Sequence, residues 1–398
     1  MSKIKLLVIG FDYHGVGYYR SNSPYLALND PDVEVKYLPI SDMTFRFDDA
    51  HLNDINIIIY QKALPIKTED ELKEFMEARR KYDIKIIYDI DDYWDLDPSH
   101  PQYKLNNMGN RIQAIIDNIR FADYITTTTT YLADKIKEYN KHVVIFENAV
   151  NINEQQWTPN KNISDKTRFL WGGGITHHND LMLMKKSFEL DKNDKLLDKM
   201  QIYMCGYDLR ASGFNGETTI SDPHSCIWTE FEKIFTNNYK SIKNNKYISW
   251  LLKYTDNGED QYGYNEEFKN EFYQRRWSKP IFIYGNMYND ADVALAPLNN
   301  TYFNSMKSQL KIIEAGCYKC PIIASNHPPY TIDVIDGKNG FLIDQNDKNG
   351  WYDKIKFFTE NPNAVIDMGE ALHEVVINNY TLDKINAKRI EFFKIICS

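Results

Sequence analysis

The chain is short of cysteine: Cys205, Cys226, Cys317, Cys320 and Cys397 are the five among 398 residues. The odd number, and an N-terminus in which "MSK" runs straight into an apolar strand pattern, argue against a disulfide-stapled secreted domain. They point to reduced thiols in a cytoplasmic protein. Cys317 and Cys320 have C-x-x-C spacing, but zinc needs further ligands and no second pair stands nearby, so structural thiols are expected. No apolar run approaches the roughly 20 residues of a membrane span, which excludes a membrane-crossing helix. Positive charge is also in deficit. Lys and Arg number 47 against 56 Asp and Glu, a formal charge of −9, and this balance disfavours a broad grip on nucleic-acid phosphates.

What is present has ordinary globular composition, 43% hydrophobic and 26% charged. The length exceeds one compact core and predicts two or three domains. In residues 1–150 short apolar runs at 3–10, 33–38, 54–60, 85–89, 124–128 and 142–146 alternate with helical periodicity at 69–81, 107–121 and 130–139. Strands that are continuously apolar, in alternation with helices, predict a parallel sheet covered on both faces, an α/β Rossmann-like domain. The polar, aperiodic stretch 151–166 reads as a linker. The pattern restarts over 167–378, with strands at 167–171, 201–207, 292–298, 320–325 and 339–343 and helices at 305–316, 349–359 and 363–378. A long aromatic and polar stretch, about 208–280, reads as an insertion with helices near 228–254 and 266–277. Its Trp228, Trp250, Tyr262, Tyr264, Tyr273 and Trp277 are candidates for stacking on sugars or bases, although packing is the commoner use of such residues. Residues 379–398 read as a C-terminal helix, from about 381, that crosses back to the first domain. Two doubly wound domains of this kind present the carboxyl ends of their sheets to a central cleft, where ligands bind.

Three strand-to-helix junctions carry candidate chemistry. In "GFDYHGVGYYRSNSP" (10–24), Gly15 and Gly17 let the backbone approach a ligand, and Arg20 could clamp a phosphate in bidentate fashion. The spacing is not the dinucleotide fingerprint, and a plain glycine turn with a surface arginine is the competing reading. In "FLWGGGITHHNDL" (169–181), Gly173 and Gly174 with Gly172 form a second possible anion cradle ahead of a helix. His177 and His178 would point toward the ligand, His177 being a candidate for phosphate or sugar bonding. Adjacent histidines are poor joint metal ligands, so no metal is expected there. In "ALAPLNNTYFNSMKSQLKIIEAG" (294–316), Lys307, Lys311 and Glu314 recur at i, i+4 and i+7 and share a helix face, with Ser308 beside them. Cations and amides at the helix start suit a diphosphate, and a carboxylate one or two turns later suits a ribose. An ordinary solvated charge stripe is the alternative.

The order of these features resembles a GT-B fold glycosyltransferase, similar to the retaining glycosyltransferase family four. The likeness covers nearly the whole chain apart from 208–280. It rests on the glycine loop after the first strand, on "FADYITTTTTYLADKI" and "FENAV" closing the first domain, and on "EAGCYKCPIIAS" with "DGKNGFLI" in the second. Glu314 matches the second glutamate of the family's paired-glutamate motif, which binds the nucleotide ribose; the first falls at Met306. The family's Arg and Lys after the first strand of the second domain give way to "GGGITHH". The resemblance implies a UDP- or GDP-linked sugar donor held mainly by the second domain and an acceptor held mainly by the first. With lysine, arginine and helix ends around the leaving diphosphate, no metal is required.

Residues 86–97, "IIYDIDDYWDLD", place five aspartates within nine positions. Asp89-x-Asp91 is the spacing of metal-dependent sugar transferases, but that reading leaves the second strand–helix series unexplained. Asp91 or Asp92 is expected to orient the acceptor, or to act as base if the anomeric centre inverts; strand termination and helix capping is the bland alternative. The expected function is transfer of a sugar to an acceptor hydroxyl, with a glycan or lipid-linked sugar as first choice, retention of configuration, and no metal. The competing readings are a sugar-nucleotide epimerase, a non-catalytic sugar-nucleotide-binding protein and, least favoured, glycosylation of a modified nucleic-acid base.

Overall fold

The computed structural model describes residues 3–10, 12, 14–39, 45–189, 195–208, 210–212, 218–221, 226–236 and 272–398. The chain divides into two compact units, the first of residues 1–152, 301–313 and 377–398, the second of 153–300 and 314–376.

The first unit is a six-stranded parallel sheet in the order β2-β1-β3-β4-β5-β6, formed by β1 (Ile4–Ile9), β2 (Val33–Leu38), β3 (Ile57–Tyr60), β4 (Lys85–Asp89), β5 (Tyr124–Thr127) and β6 (Val143–Ile145). Both faces are buried, which explains the unbroken apolarity of its strands. Leu7, Ile9, Ile58, Tyr60, Ile86 and Tyr88 enter one core, while Leu6, Val8, Ile57, Ile59 and Ile87 enter the other. Helix Glu69–Lys81 shows how local signals agree with this layering. Thr68 accepts the Glu71 N–H at its start, acids occupy its first turn, bases its last, and Phe75 and Ala78 face the sheet. The C-terminal helix Leu382–Ile396 lies in this unit: Phe393 joins the second core, and Asn386 Nδ2 donates to the Pro24 carbonyl.

The second unit repeats the architecture with a parallel sheet in the order β11-β8-β7-β12-β13-β14: β7 (Thr167–Gly172), β8 (Met200–Tyr207), β11 (Tyr273–Trp277), β12 (Val293–Ala296), β13 (Ile322–Ser325) and β14 (Gly340–Ile343). A short antiparallel pair, β9 (Arg210–Ser212) and β10 (Thr218–Ile220), lies between β8 and β11 in sequence. Two expectations need correction. Residues 273–277, read as helix, form edge strand β11, because Tyr273 and Trp277 bury in the core while Arg276 spreads over the Tyr203 ring. The helix read at 305–316 is two pieces, Tyr302–Ser305 and Leu310–Cys317, since Phe303 and Met306 turn into the first unit's core. Trp228, Tyr273 and Trp277 are core residues, the packing use expected to be the commoner for such aromatics; Trp250, Tyr262 and Tyr264 lie outside the described residues.

Within 151–166 the turn Gln155–Trp157 is packed. Trp157 is 2% exposed, and burial of a side chain of that size contributes about 3 kcal/mol. Cys317 and Cys320 are free, buried thiols, donating to the Trp157 and Ala291 carbonyls. Burial pushes the Cys317 thiol up to about 12, which suits a structural role.

Candidate functional site

In each sheet the first strand lies between its successors, so the order reverses beside β1 and beside β7. Ligands of open α/β sheets bind beyond the carboxyl ends at such points.

At the first of these, Asp12 Oδ1 accepts the His14 and Gly17 N–H groups at 2.8 and 3.1 Å and folds the loop after β1 into a tight turn. A Cβ at Gly17 would collide with the Asp12 carbonyl, whereas one at Gly15 would meet open space. A π-helical turn, Tyr18–Asn22, follows and sends Arg20 inward. Arg20 is 1% exposed. Its Nε and Nη2 donate to Asp89 Oδ1 and Oδ2 at 3.1 and 2.7 Å, and Nη1 donates to the Phe146 carbonyl and to Asn148 Oδ1 at 2.6 and 3.2 Å. The guanidinium read as a phosphate clamp is therefore occupied by a buried carboxylate. Asp89 also accepts from Gln61 Nε2 at 3.0 Å and Thr126 Oγ1 at 2.7 Å, so every buried charge in this group is paired, as burial demands.

Asp91 follows β4 by two residues. Burial pushes its carboxyl up to about 7, and the charges of Asp92 and Asp89 add to the shift against the pull of Arg20 and Lys62. Asp92 beside it is exposed. A carboxyl group that changes charge near neutral pH can accept a proton from a hydroxyl or hold that hydroxyl in place.

The segment 301–313 adds a further edge to this unit. Thr301 caps Tyr302–Ser305 by accepting the Asn304 N–H. Tyr302 meets Tyr93 edge-on and His100 meets Phe303 likewise, so the aspartate-rich loop packs against it. Lys307 Nζ sits 4.7 Å from the Phe303 ring centroid, and Ser308 Oγ accepts from Asn148 Nδ2 at 2.9 Å. Lys307, Ser308 and Lys311 are all partly exposed.

In the second unit the three glycines leave β7 under close constraint. Gly206 has a φ of +115°, and a Cβ there would strike the Gly173 carbonyl, so only glycine lets the loop lie against β8. Gly173 N–H donates to the Cys205 carbonyl at 3.1 Å. His177 Nδ1 lies 2.8 Å from Asp180 Oδ2, while Asp180 Oδ1 accepts the Asn299 N–H and Nδ2 at 2.9 and 3.2 Å. Asn299 follows β12, so this bridge ties together the two loops at the switch point. His178 stacks edge-on against Phe231 instead. Glu314, on helix Leu310–Cys317, is 1% exposed and accepts from the Tyr288 hydroxyl at 3.2 Å. Burial, then the Glu314 charge, hold the Tyr288 phenol well above its usual range.

The structure thus groups Arg20 with Asp89 and Asn148, places Asp91 and Asp92 beyond them, and links Ser308 to Asn148; His177 and Glu314 stand in the second unit. Asp180 was legible as the i+3 partner of His177 on a helical turn. Gln61, Thr126, Asn148 and Asn299 were not, since their contacts join distant stretches of chain. Among the described residues no three His, Cys, Asp or Glu side chains come together in a metal-binding group.

Residues 271–361, less than half the chain, match the family model described as Glycosyl transferases group 1. No curated protein matches the chain. Among solved structures it is similar to sucrose-phosphate synthase from Thermosynechococcus elongatus, with a TM-score of 0.63, 11% identity and 99% of each chain covered. It is also similar to Anabaena HepE in complex with UDP-glucose, at TM-score 0.57 and 10% identity, covering 98% of this chain and 99% of that one. A third likeness is to S. aureus TarM, at TM-score 0.53 and 14% identity, covering 88% of this chain and 57% of that one, in a complex that includes UDP. The chain thus spans little more than half the length of TarM. At these identities the likeness is one of fold: two Rossmann-like α/β units with parallel sheets, the GT-B fold.

Proposed function

We propose that the chain is a glycosyltransferase that moves a sugar from a UDP- or GDP-linked donor to an acceptor hydroxyl, with a glycan or lipid-linked sugar as acceptor. The observation that carries the reading is the placement of the glycosyl transferases group 1 match on β11 to β14 and helix Leu310–Cys317, the stretch that bears Glu314 on a GT-B fold. HepE and TarM were solved with UDP-glucose and UDP, which supports a nucleoside-diphosphate donor here. In this reading Glu314 takes the ribose, Lys307, Ser308 and Lys311 are the groups that bear on the diphosphate, and the glycine turn acts through Gly174, because the Gly173 N–H is held by the Cys205 carbonyl. His177, oriented by Asp180, adds a further polar contact. Gly15 leaves room for backbone approach, whereas Gly17 is packed against Asp12, and Arg20 acts through the Asp89 pair rather than on phosphate. Asp91 and Asp92 hold the acceptor hydroxyl.

The chemistry follows from charge. As the glycosidic bond breaks, negative charge grows on the diphosphate and positive charge on the sugar, so fixed cations and N–H dipoles at the leaving group lower the barrier. Two lysines can supply that stabilisation, and the mechanism we propose needs no metal and retains configuration, as in the family-four enzymes the sequence resembles. Incubation with UDP-glucose, UDP-N-acetylglucosamine and GDP-mannose tests it. Slow release of free nucleoside diphosphate is the expected result. An isomerised sugar would indicate an epimerase instead, and tight binding with no turnover a non-catalytic protein.

A further inference from the structure

We propose that Ser308 donates its hydroxyl proton to a phosphate oxygen of the bound diphosphate, with Asn148 as the positioning residue that fixes this polarity. The inference rests on the donor site proposed above and deepens it. The direction of each hydrogen bond along a buried chain is forced by which groups can donate. Arg20 has donors only, and two of its nitrogens are held by Asp89. Its Nη1 must therefore meet an acceptor on Asn148, which places Oδ1 toward Arg20 at 3.2 Å. The amide nitrogen of Asn148 is then turned to Ser308, and Nδ2 donates to Oγ at 2.9 Å. Ser308 Oγ is thus an acceptor on its inner side. Its single proton has no acceptor among the described residues, and the residue is partly exposed.

A chain of donors running outward from a guanidinium ends in an O–H suited to an oxyanion. The neighbours identify which one. Lys307 adjoins Ser308 and Lys311 follows three residues later, so two cations flank the hydroxyl in sequence, and a phosphate oxygen is favoured over a neutral sugar hydroxyl. The buried part of the chain is rigid: Arg20 and Asn148 are 1% and 3% exposed. The Asp89 carboxylate that anchors it accepts from four donors.

Calorimetric titration of inorganic pyrophosphate, UDP and GDP at fixed ionic strength tests the assignment on the full chain. Ser308→Ala is expected to weaken all three by about tenfold or more, as loss of one hydrogen bond to a charged group does, with a modest drop in melting temperature because Asn148 Nδ2 loses its acceptor. Ser308→Thr, which keeps the hydroxyl, is expected to bind as the wild type does. Asn148→Asp keeps an acceptor for Arg20 but would take the Ser308 proton for itself, and is expected to weaken binding by tenfold or more. A purely structural role would lower the melting temperature and leave the affinities alone. Wild-type affinity in Ser308→Ala or in Asn148→Asp overturns the assignment, as does failure of all three ligands to bind the wild type. Turnover separates this from the transferase reading. If no sugar nucleotide is consumed while pyrophosphate affinity still depends on Ser308, the transferase reading falls and the assignment stands; if turnover proceeds with an unchanged donor KM in Ser308→Ala, the reverse holds.

Discussion

Replacing Arg20 by leucine is expected to destabilise the first unit severely. The substitution removes two donors from a carboxylate that is 5% exposed, together with the Nη1 donor to the Phe146 carbonyl and Asn148. Gln61 and Thr126 still donate to Asp89, but the charge is left without a counter-ion in a medium that solvates it poorly. Breaking a buried pair in this way costs about 3–5 kcal/mol, a large share of the 5–15 kcal/mol that holds a typical domain together. The double variant Arg20→Leu, Asp89→Leu removes the stranded charge as well. It leaves Gln61 Nε2 and the Thr126 hydroxyl without an acceptor, at about 1–3 kcal/mol each, so recovery should be partial. Urea denaturation followed by circular dichroism reads both. A loss below about 1 kcal/mol in the single variant, or a double variant worse than the single one, would refute the buried-pair reasoning and return Arg20 to the role of an open anion clamp.

The remaining predictions concern other parts of the molecule. Because burial and Asp92 raise the Asp91 carboxyl from 3.8 to about 7, the folded chain keeps that proton longer than the unfolded chain. Its contribution to stability therefore falls as pH rises through that window and levels off above it. Asp91→Asn should flatten that slope in pH-dependent thermal melts, and should also remove a rise in kcat/KM centred near the same pH. Trp157→Ala, which empties a site closed by Tyr318, should cost about 3–5 kcal/mol in denaturant unfolding. Asp180→Asn should lower donor turnover by roughly tenfold, through loss of the His177 orientation, with little change in acceptor KM.

The architecture was largely legible in the sequence because parallel strands buried on both faces, such as "KLLVI" in β1, need no partner to announce themselves. β11 was missed for the opposite reason. An edge strand that carries Gln274 and Arg276 on one face and Tyr273 and Trp277 on the other has neither continuous apolarity nor clean alternation of polar and apolar classes. The helix read across 305–316 failed because local periodicity cannot register that Phe303 and Met306 belong to another unit's core. The candidate site shows the same division. Spacing along the chain could bring His177, Asp180, Lys307 and Glu314 to notice, and the charge run at 89–97 drew attention to Asp91. Sequence could not show that Arg20 is consumed by Asp89, because that pair spans 69 residues and depends on the π-helical turn that aims the arginine inward. Whether a charge faces a ligand or a neighbour is decided by packing.

The most direct measurement is the affinity of UDP and GDP for the wild type and for the double variant Lys307→Glu, Lys311→Glu. If a leaving diphosphate rests on these two side chains, reversing each charge should weaken binding about tenfold or more, with the fold intact by circular dichroism. Unchanged dissociation constants for both nucleotides would mean that the lysines face solvent and that the diphosphate, if one binds, is held elsewhere.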